Sequence, residues 1–202
     1  MAIYLTELDS TFNFPSPYEA LSDPNGLLAF GGDLDPHRIL SGYYQGIFPW
    51  YGPGEPILWW SPSPRAVFDP LTFKPSKSLK KFQRKHQYKV TINQATERVI
   101  QLCSSTRPAD ETWLNEEMQA AYIQLSNLGH CHSVEVWHDN TLVGGLYGIS
   151  VGQLFLWRVH VQFERQRIKN RIVVFVHAFG VKAWSINRLS GDEPALGIPR
   201  RI

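Results

Sequence analysis

The sequence predicts an α+β protein, because helical patterns alternate with turns up to about residue 128 and an antiparallel run of strands follows. A segment rich in proline and aromatic residues, 46–68, precedes this part of the chain. Proline fixes φ and removes a backbone donor, so this segment is expected to form neither a helix nor a central strand. Its aromatic side chains suit either a pocket wall or a core plug, and composition alone leaves both open.

The first helix is predicted to begin at the Asp35-Pro36 pair, which combines an N-cap carboxylate with proline at the first helical position. Apolar residues then recur at helical spacing: Ile39, Leu40, Tyr43 and Tyr44. The preceding Gly31-Gly32 pair lacks the Lys-Ser/Thr and the further glycine of a phosphate loop. A tight turn is therefore predicted there.

A basic segment lies between Asp69 and Glu97, where no acidic residue occurs. Its basic residues are Lys74, Lys77, Lys80, Lys81, Arg84, Lys85 and Lys89. A short helix capped by Ser76 or Ser78 would gather several of them on one face, where like charges repel. This face could be solvated, or it could contact a nucleic-acid backbone that neutralises it.

The later elements follow from periodicity. Lys89–Ile92 reads as a strand, and Asn93 is expected to cap a helix with Val99, Ile100 and Cys103 inside. A second helix is predicted over about 114–128, with Met118, Tyr122 and Leu125 on one face and Gly129 as its stop.

Three antiparallel strands complete the pattern. The predicted strands are 133–137 and 142–149, joined by a turn at Asp139-Asn140, and a third that begins at Gln153. Gly144-Gly145 inside a strand indicates a bulge or a close approach of other atoms to the backbone.

Length and composition limit the class of protein. The chain has 202 residues, 43% of them hydrophobic, which suits one or two domains. No apolar run of membrane-spanning length and no signal-peptide pattern occur, so a soluble cytoplasmic protein is expected. Cys103 and Cys131 are expected to be buried free thiols. His130 and His132 lack a third ligand by spacing, so neither a metal nor a cofactor is predicted.

The charge balance changes abruptly along the chain. Residues 1–156 carry 11 basic and 15 acidic side chains, whereas residues 157–202 carry 9 basic and 3 acidic ones. Seven of the twelve arginines lie in that last part. Such a switch is typical of a new domain or a basic tail.

Several motifs up to Phe155 resemble one known family, the leucyl/phenylalanyl-tRNA–protein transferases. The segments that carry the resemblance are 23–34, 46–50, 56–65, 112–114, 129–137 and 142–148. The resemblance implies transfer of Leu or Phe from aminoacyl-tRNA to proteins with N-terminal Arg or Lys, which marks them for N-degron degradation. It also implies a small N-terminal α/β domain, 1–62, and a domain over 63–202 similar to the Gcn5-related acetyltransferases. A monomer without a membrane partner is expected.

The resemblance also implies site residues. The pocket for the aminoacyl group and the terminal adenosine would be lined by Tyr43, Trp50, Trp113, Leu146 and Phe155. The tRNA backbone would contact Lys74, Lys77, Lys80, Lys81, Arg84 and Lys85. Trp59 and Trp60 are expected to be structural. No catalytic residue can be assigned, because the Glu of Gly-Glu-Ser-Met-Phe and the Asp and Gln of Asp-Cys-Gln have no match after Phe155.

A change of reading frame explains where the resemblance stops. Codons can be chosen for 156–172 so that the same bases, read one nucleotide later, encode Cys-Gly-Glu-Ser-Met-Phe-Ser and then Asn-Ala-Ser-Lys. Residues 156–197 are therefore interpreted as out of frame, with a return to frame at Ile198-Pro-Arg-Arg201 and a domain that is incomplete at its C-terminus. The chain as written is predicted to fold poorly beyond residue 155 and to show little or no transfer.

Three alternatives stay open at this point. The chain could be a non-catalytic remnant that binds tRNA or aminoacyl-adenosine, or an aromatic binding module for carbohydrate. It could be an acyl-CoA-dependent acyltransferase, although the glycine-rich pyrophosphate loop that this chemistry needs does not appear. It could also be a truncated product without a function.

Overall fold

A computed structural model describes residues 4–65, 74, 77, 81, 88–105, 112–152 and 154–162, with only the backbone for 158–162. In these ranges, eight strands form two four-stranded sheets, and three α-helices have described bounds. The α+β class predicted from the sequence is confirmed.

The first sheet is built from the N-terminal part of the chain. Its strands are β1 (Thr6–Leu8), β2 (Leu27–Gly31), β3 (Phe48–Pro49) and β4 (Leu58–Trp60). They lie in the order β1-β2-β4-β3, with β1 parallel to β2 and the other pairs antiparallel.

The prediction that the aromatic and proline-rich segment forms no central strand is wrong. β4 lies between β2 and β3, so it pairs on both sides. The reason is local, because 57–61 contains no proline and can donate to both neighbours, while Pro49 lies on the edge strand β3.

The first helix, α1 (Pro36–Tyr44), begins where the sequence predicts it. The side chain of Asp35 accepts a hydrogen bond from the backbone N–H of His37, at 2.8 Å. Gly31 and Gly32 have φ values of +80° and +71°, which only glycine adopts freely. Gly31 is the last residue of β2 and 32–35 is an irregular connection, so the positive φ values are present but the predicted tight turn is not.

The second sheet is an antiparallel meander. It contains β5 (Lys89–Ile92), β6 (Cys131–His138), β7 (Thr141–Val151) and β8 (Leu154–Gln162), in that order. The predicted turn between β6 and β7 is confirmed, and both of its residues, Asp139 and Asn140, have positive φ. This turn type matches the right-handed twist of the strands that it joins.

Two helices pack on one face of this sheet: α2 (Thr96–Ser104) and α3 (Glu116–Asn127). Val99, Ile100 and Cys103 are buried as predicted. The predicted cap of α2 is wrong, because Ala95 holds the N-cap position and makes no side-chain cap bond. Asn93 lies two residues earlier, where its side chain accepts from the backbone N–H of Ser133 instead.

The two sheets share one hydrophobic core, called the shared core below. Ile39 and Trp59 enter it from the N-terminal part, and Ile100, Met118 and Tyr147 enter it from the helices and the second sheet. Between α1 and α3, the hydroxyls of Tyr43 and Tyr122 form a hydrogen bond of 2.8 Å. Each of the two parts therefore covers apolar surface of the other.

Strand β8 extends seven residues beyond Phe155. Its backbone pairs with β7 as far as Gln162, opposite Gly144. The residues alternate Leu156-Trp-Arg-Val-His-Val-Gln162, a pattern that suits a strand. The structure thus continues β8 over 156–162, whereas residues 163–202 lie outside the described part, and poor folding beyond residue 155 stays a prediction.

None of the helices within the described ranges is both long and apolar enough to cross a membrane.

Candidate functional site

The five predicted pocket residues fall into three groups. Tyr43 is buried in the shared core and Trp113 packs against that core. Leu146 and Phe155 lie in a second cluster, with Val134 and Val136, on the opposite face of the second sheet. Leu146 and Phe155 are thus placed in one cluster, and the first pair belongs to another.

Trp50 stands apart from both clusters. It is 46% exposed, and its ring meets that of Trp60 edge to face with 5.3 Å between centroids. The indole N–H of Trp60 donates to the backbone carbonyl of Trp50 at 2.6 Å. An exposed ring with a fixed backbone is suited to stacking against a planar ligand.

The other tryptophan of the motif has a structural role, as expected. Trp59 is fully buried, and its indole N–H donates to the carbonyl of Gly31 at 3.0 Å. The ring of Phe14 lies edge to face with it, 4.8 Å away. Trp59 thus ties β4 to the end of β2, beside the segment that leads into α1.

Of the predicted tRNA-binding residues, the structure describes Lys74, Lys77 and Lys81, and all three are exposed. Lys77 and Lys81 are both in helical conformation. Lys80, Arg84 and Lys85 lie outside the described residues.

A buried polar cluster was missed by sequence reasoning. Glu135 on β6 is completely buried, and it accepts hydrogen bonds from the hydroxyls of Thr91 and Ser133. The backbone N–H of Ala95, at the start of α2, also donates to it at 3.3 Å. The sequence did contain a signal: Glu135 lies between Val134 and Val136 in an apolar strand, and both faces of this strand are buried.

Burial shifts the pKa of one histidine and of two cysteines. Burial, together with the charge of the neighbouring His130, lowers the pKa of His132 below its ordinary value. Burial raises the pKa of both thiols, Cys103 and Cys131, well above the usual range, so neither is a reactive nucleophile. The prediction that both cysteines are buried and free is confirmed.

A cavity of about 700 Å³ opens along α2 and the segment before it, facing the C-terminal part of α3. Its lining includes Thr96, Arg98, Gln101, Ile123 and Asn127. None of the five predicted pocket residues lines it. Within the described ranges, no group of three His, Cys, Asp or Glu side chains could hold a metal ion.

The described side chains are better suited to binding a ligand than to catalysing a reaction. An exposed aromatic ring and exposed lysines suit a nucleotide and a phosphate backbone. The fully buried carboxylate of Glu135 has both oxygens occupied by donors, so it is not available to a substrate. Transfer from an ester to an amine would need further polar groups to stabilise the oxyanion and to accept a proton.

Comparison with known proteins matches two family models to this chain. The model of the leucyl/phenylalanyl-tRNA protein transferase matches residues 67–189, and the model of the N-terminal domain of the same transferase matches residues 32–63. The chain belongs to this family. The matched ranges contain all the predicted pocket residues and the whole predicted tRNA-binding set.

Individual relatives carry the same name, leucyl/phenylalanyl-tRNA--protein transferase. One from Vibrio parahaemolyticus serotype O3:K6 is 99% identical over 155 residues, and one from Vibrio campbellii is 83% identical over 155 residues. Each alignment covers 77% of this chain and 66% of the relative, so the chain spans slightly less than two thirds of those proteins. A Vibrio vulnificus relative is 64% identical over 180 residues, which cover 89% of this chain and 76% of the relative.

Proposed function

We propose that this chain derives from an enzyme that moves Leu or Phe from aminoacyl-tRNA to the N-terminal Arg or Lys of acceptor proteins, and that the chain as written binds the aminoacyl-tRNA but transfers little. Membership of the family supports the first part. The second part rests on one observation, the loss of the family's polar motifs after Phe155.

Trp50 supports the proposed binding of the terminal adenosine. Its ring is half exposed and fixed through Trp60, so adenine could stack on it without a large loss of side-chain entropy. Leu146 and Phe155 provide apolar surface close to the point where the resemblance stops. A pocket that joins these groups to Tyr43 and Trp113 stays a proposal, as does its preference between Leu and Phe.

Positive charge supports the proposed binding of the tRNA backbone. Lys74, Lys77 and Lys81 are exposed, and the segment between Asp69 and Glu97 contains no carboxylate to neutralise them. A phosphate backbone releases counterions when such lysines bind, which favours association at low salt. Salt-dependent binding of tRNA is therefore expected.

A change of reading frame would explain why the polar motifs of the family are missing. The alignments with the Vibrio parahaemolyticus and Vibrio campbellii relatives are each 155 residues long, which is the length of the chain before Leu156. The family-model match runs on to residue 189, so some likeness continues beyond that point. Sequencing the gene decides the matter, because the bases after codon 155 must encode Gly-Glu-Ser-Met-Phe in the neighbouring frame.

A second stretch supports the same frame. The codons AAC CGA TTG TCA GGT can be chosen for 187–191, and the same bases read one nucleotide later encode Thr-Asp-Cys-Gln. This choice recovers the Asp-Cys-Gln motif that the chain lacks. Since the same shift recovers family motifs from 156–172 and from 187–191, one displaced frame would account for both losses.

The domain organisation is part of the proposal. We place the small N-terminal domain at 1–62 and an acetyltransferase-like domain after it. The antiparallel meander β5–β8, with α2 and α3 on one face, supports the second assignment. Cytoplasmic location, a monomeric state and acceptors with N-terminal Arg or Lys rest on the family resemblance alone.

Transfer and binding can be separated in one experiment. Two proteins are prepared, the chain as written and a corrected chain in which the gene encodes 156–197 from the neighbouring frame. Transfer is measured with radiolabelled leucyl-tRNA and an acceptor protein that begins with Arg, and binding is measured by gel shift of the aminoacyl-tRNA. We expect both proteins to bind, but only the corrected chain to transfer above background.

The matched control is Trp50→Ala in each protein. Loss of one stacking contact should weaken aminoacyl-tRNA binding by about 1–3 kcal/mol. Robust transfer by the chain as written would refute the proposed loss of activity. Failure of both proteins to bind aminoacyl-tRNA would leave the truncated, functionless product as the correct interpretation.

A further inference from the structure

Three aromatic side chains lie next to one another on one face of the first sheet. Phe48 on β3 pairs with Trp60 on β4, and the side chains of an antiparallel pair share a face. The ring of Trp60 meets that of Trp50 with 5.3 Å between centroids. Phe48 and Trp60 are half-buried, and Trp50 is half exposed. These three residues are called the aromatic row below.

Arg65 places a positive charge on this row. Its guanidinium carbon lies 5.1 Å from the centroid of the Phe48 ring, within the range of a cation–π contact. The guanidinium also donates through Nη1 to the backbone carbonyl of Gly46, at 2.8 Å. Arg65 is exposed. The charge therefore lies toward the start of β3, while the exposed ring of Trp50 follows the end of the same strand.

The segment that carries Arg65 is fixed against the turn before β2. The side chain of Asn25 donates to the carbonyl of Ser63 at 3.0 Å and accepts from the backbone N–H of Ser63 at 3.4 Å. A Cβ at Gly26 would lie 2.4 Å from the Cα of Pro62, so the two segments are in close contact. The backbone before Arg65 thus has little freedom to lose when a ligand binds.

The length of the aromatic row suits the end of a nucleic-acid strand. Phe48 and Trp50 are two residues apart in extended backbone, a separation of about 7 Å. If adenine stacks on Trp50, the phosphate that joins it to the preceding nucleotide can lie within reach of the long side chain of Arg65. Arginine binds phosphate oxygens through parallel N–H groups and also stacks on aromatic rings. Charge and spacing therefore both favour a nucleotide ligand at this row.

We infer that Arg65 binds the phosphate that joins the terminal adenosine of the aminoacyl-tRNA to the nucleotide before it. This inference rests on the proposed function, in which the adenosine lies on Trp50. The lysines of the basic segment would hold the tRNA backbone, whereas Arg65 would act at the acceptor end itself. An arginine with only a structural role would tie Gly46 to the segment 61–65 and would leave phosphate binding unaffected.

Two probes separate the phosphate contact from the rest of the site. The first is adenosine that carries leucine through a stable amide at its 3′ position, and the second is the trinucleotide CCA with the same group at its 3′ end. Only the trinucleotide contains phosphates. Binding of each probe to the chain as written is measured by isothermal titration calorimetry over a series of salt concentrations.

Arg65→Gln should weaken binding of the trinucleotide by about tenfold, the lower end for a hydrogen bond with a charged group. The slope of log K against log salt should become shallower by about 0.7, the share of one phosphate contact on a single strand. Arg65→Lys should keep this slope, because it keeps the charge. Binding of the adenosine probe should be unchanged in both variants, and it also shows that the site is folded.

The matched control is Arg98→Gln. Arg98 is exposed as well, but it lies on α2, which packs on the second sheet. The control removes the same charge from another part of the molecule, so the affinity for the trinucleotide and the salt slope should not change. Trp50→Ala should weaken both probes, because both contain the adenine.

The results distinguish a role of Arg65 from the proposed function. If both probes bind but Arg65→Gln leaves the trinucleotide affinity unchanged, or weakens both probes alike, the role of Arg65 is refuted and the proposed function stands. An equal loss in Arg98→Gln refutes it in the same way. If neither probe binds to the chain as written, the proposed binding of aminoacyl-tRNA fails, and the role of Arg65 fails with it.

Discussion

Among the described residues, each sheet has one completely buried charged side chain in it or beside it, and the two charges are satisfied in opposite ways. Beside the first sheet the charge is the guanidinium of Arg38, and in the second sheet it is the carboxylate of Glu135. Burying a charge is costly unless it is paired or hydrogen-bonded. The comparison shows which partners each charge requires.

Arg38 has fixed partners. Its guanidinium donates to the carboxylate of Asp33 at 3.0 and 3.3 Å, and to the backbone carbonyls of Thr11 and Asp9 at 2.7 and 2.8 Å. The ring of Phe12 lies 5.4 Å from the guanidinium carbon. The hydrogen bond from Arg38 is the main cause that lowers the pKa of Asp33. The planar fork of arginine thus holds the segment before β2 against α1.

Glu135 has adjustable partners. Thr91 and Ser133 donate through hydroxyls that can rotate, and Thr91 in turn accepts from the indole N–H of Trp137 at 2.8 Å. The hydroxyl of Thr96 lies 2.7 Å from that of Ser133. The start of α2, with its free N–H groups, also favours a negative charge. Hydroxyls can serve as donors or acceptors, so this network tolerates a change of charge better than the arginine site does.

The largest effect is expected at Arg38. Arg38→Ala should lower the free energy of unfolding by about 3–5 kcal/mol, because the backbone carbonyls of Thr11 and Asp9 each lose a hydrogen bond from a charged donor. Arg38→Lys should recover less than half of this loss, because an ammonium cannot make the planar fork. Urea unfolding measures both. Full recovery by lysine would show that charge rather than geometry satisfies this site.

Glu135 should be the more tolerant site. Glu135→Ala is expected to cost about 3 kcal/mol, since it leaves buried hydroxyls without their acceptor. Glu135→Gln keeps the shape and should cost only about 1 kcal/mol, because the hydroxyls can rotate to suit an amide. The comparison with Arg38 fails if Glu135→Gln costs as much as Arg38→Lys in the same urea experiment.

The hydroxyl pair between the two parts should show a smaller effect. Tyr43→Phe and Tyr122→Phe each remove one partner of the hydrogen bond between α1 and α3. A double-mutant cycle should give a coupling energy of about 1 kcal/mol, the net worth of a neutral hydrogen bond. Additive single effects, measured by chemical denaturation, would mean that the pair does not couple the two parts.

The smallest effect is expected from His132. Burial lowers the pKa of His132 in the folded state, and its Nδ1 lies 2.9 Å from the side-chain nitrogen of Asn93. As pH falls below the ordinary value of 6.5, the unfolded chain takes up a proton that the folded chain resists, so stability falls. Denaturant midpoints from pH 8 to 5 should show this loss. His132→Asn keeps an acceptor towards Asn93 and should flatten the curve, whereas parallel curves would contradict the assignment.

Much of the fold was predictable because its signals are local. The Asp35 cap, the apolar stripe of α3 and the Asp139-Asn140 turn each specify their element within a few residues. Two of the local errors have a common cause. Asn93 looks like a helix cap, but its side chain accepts a hydrogen bond from the distant Ser133. Leu58–Trp60 looks like part of a loop, but it pairs as a strand with the distant β2.

The candidate site was less predictable than the fold. The sequence named Tyr43, Trp50, Trp113, Leu146 and Phe155 through the resemblance, and the structure places them in two clusters and one exposed position. The polar partners of Glu135 come from β5, β6 and the start of α2, so no short window of sequence contains the network.

The sequence by itself determined the family, the α+β class, most element boundaries and the point at which the family motifs end, because motifs, caps and periodicity are properties of short segments. Only the tertiary structure decided that β4 is a central strand, that both sheets share one core and that Arg65 lies over the ring of Phe48. These depend on which strands become neighbours. That choice is made by long-range packing and pairing, where the burial of distant apolar surface outweighs local preference.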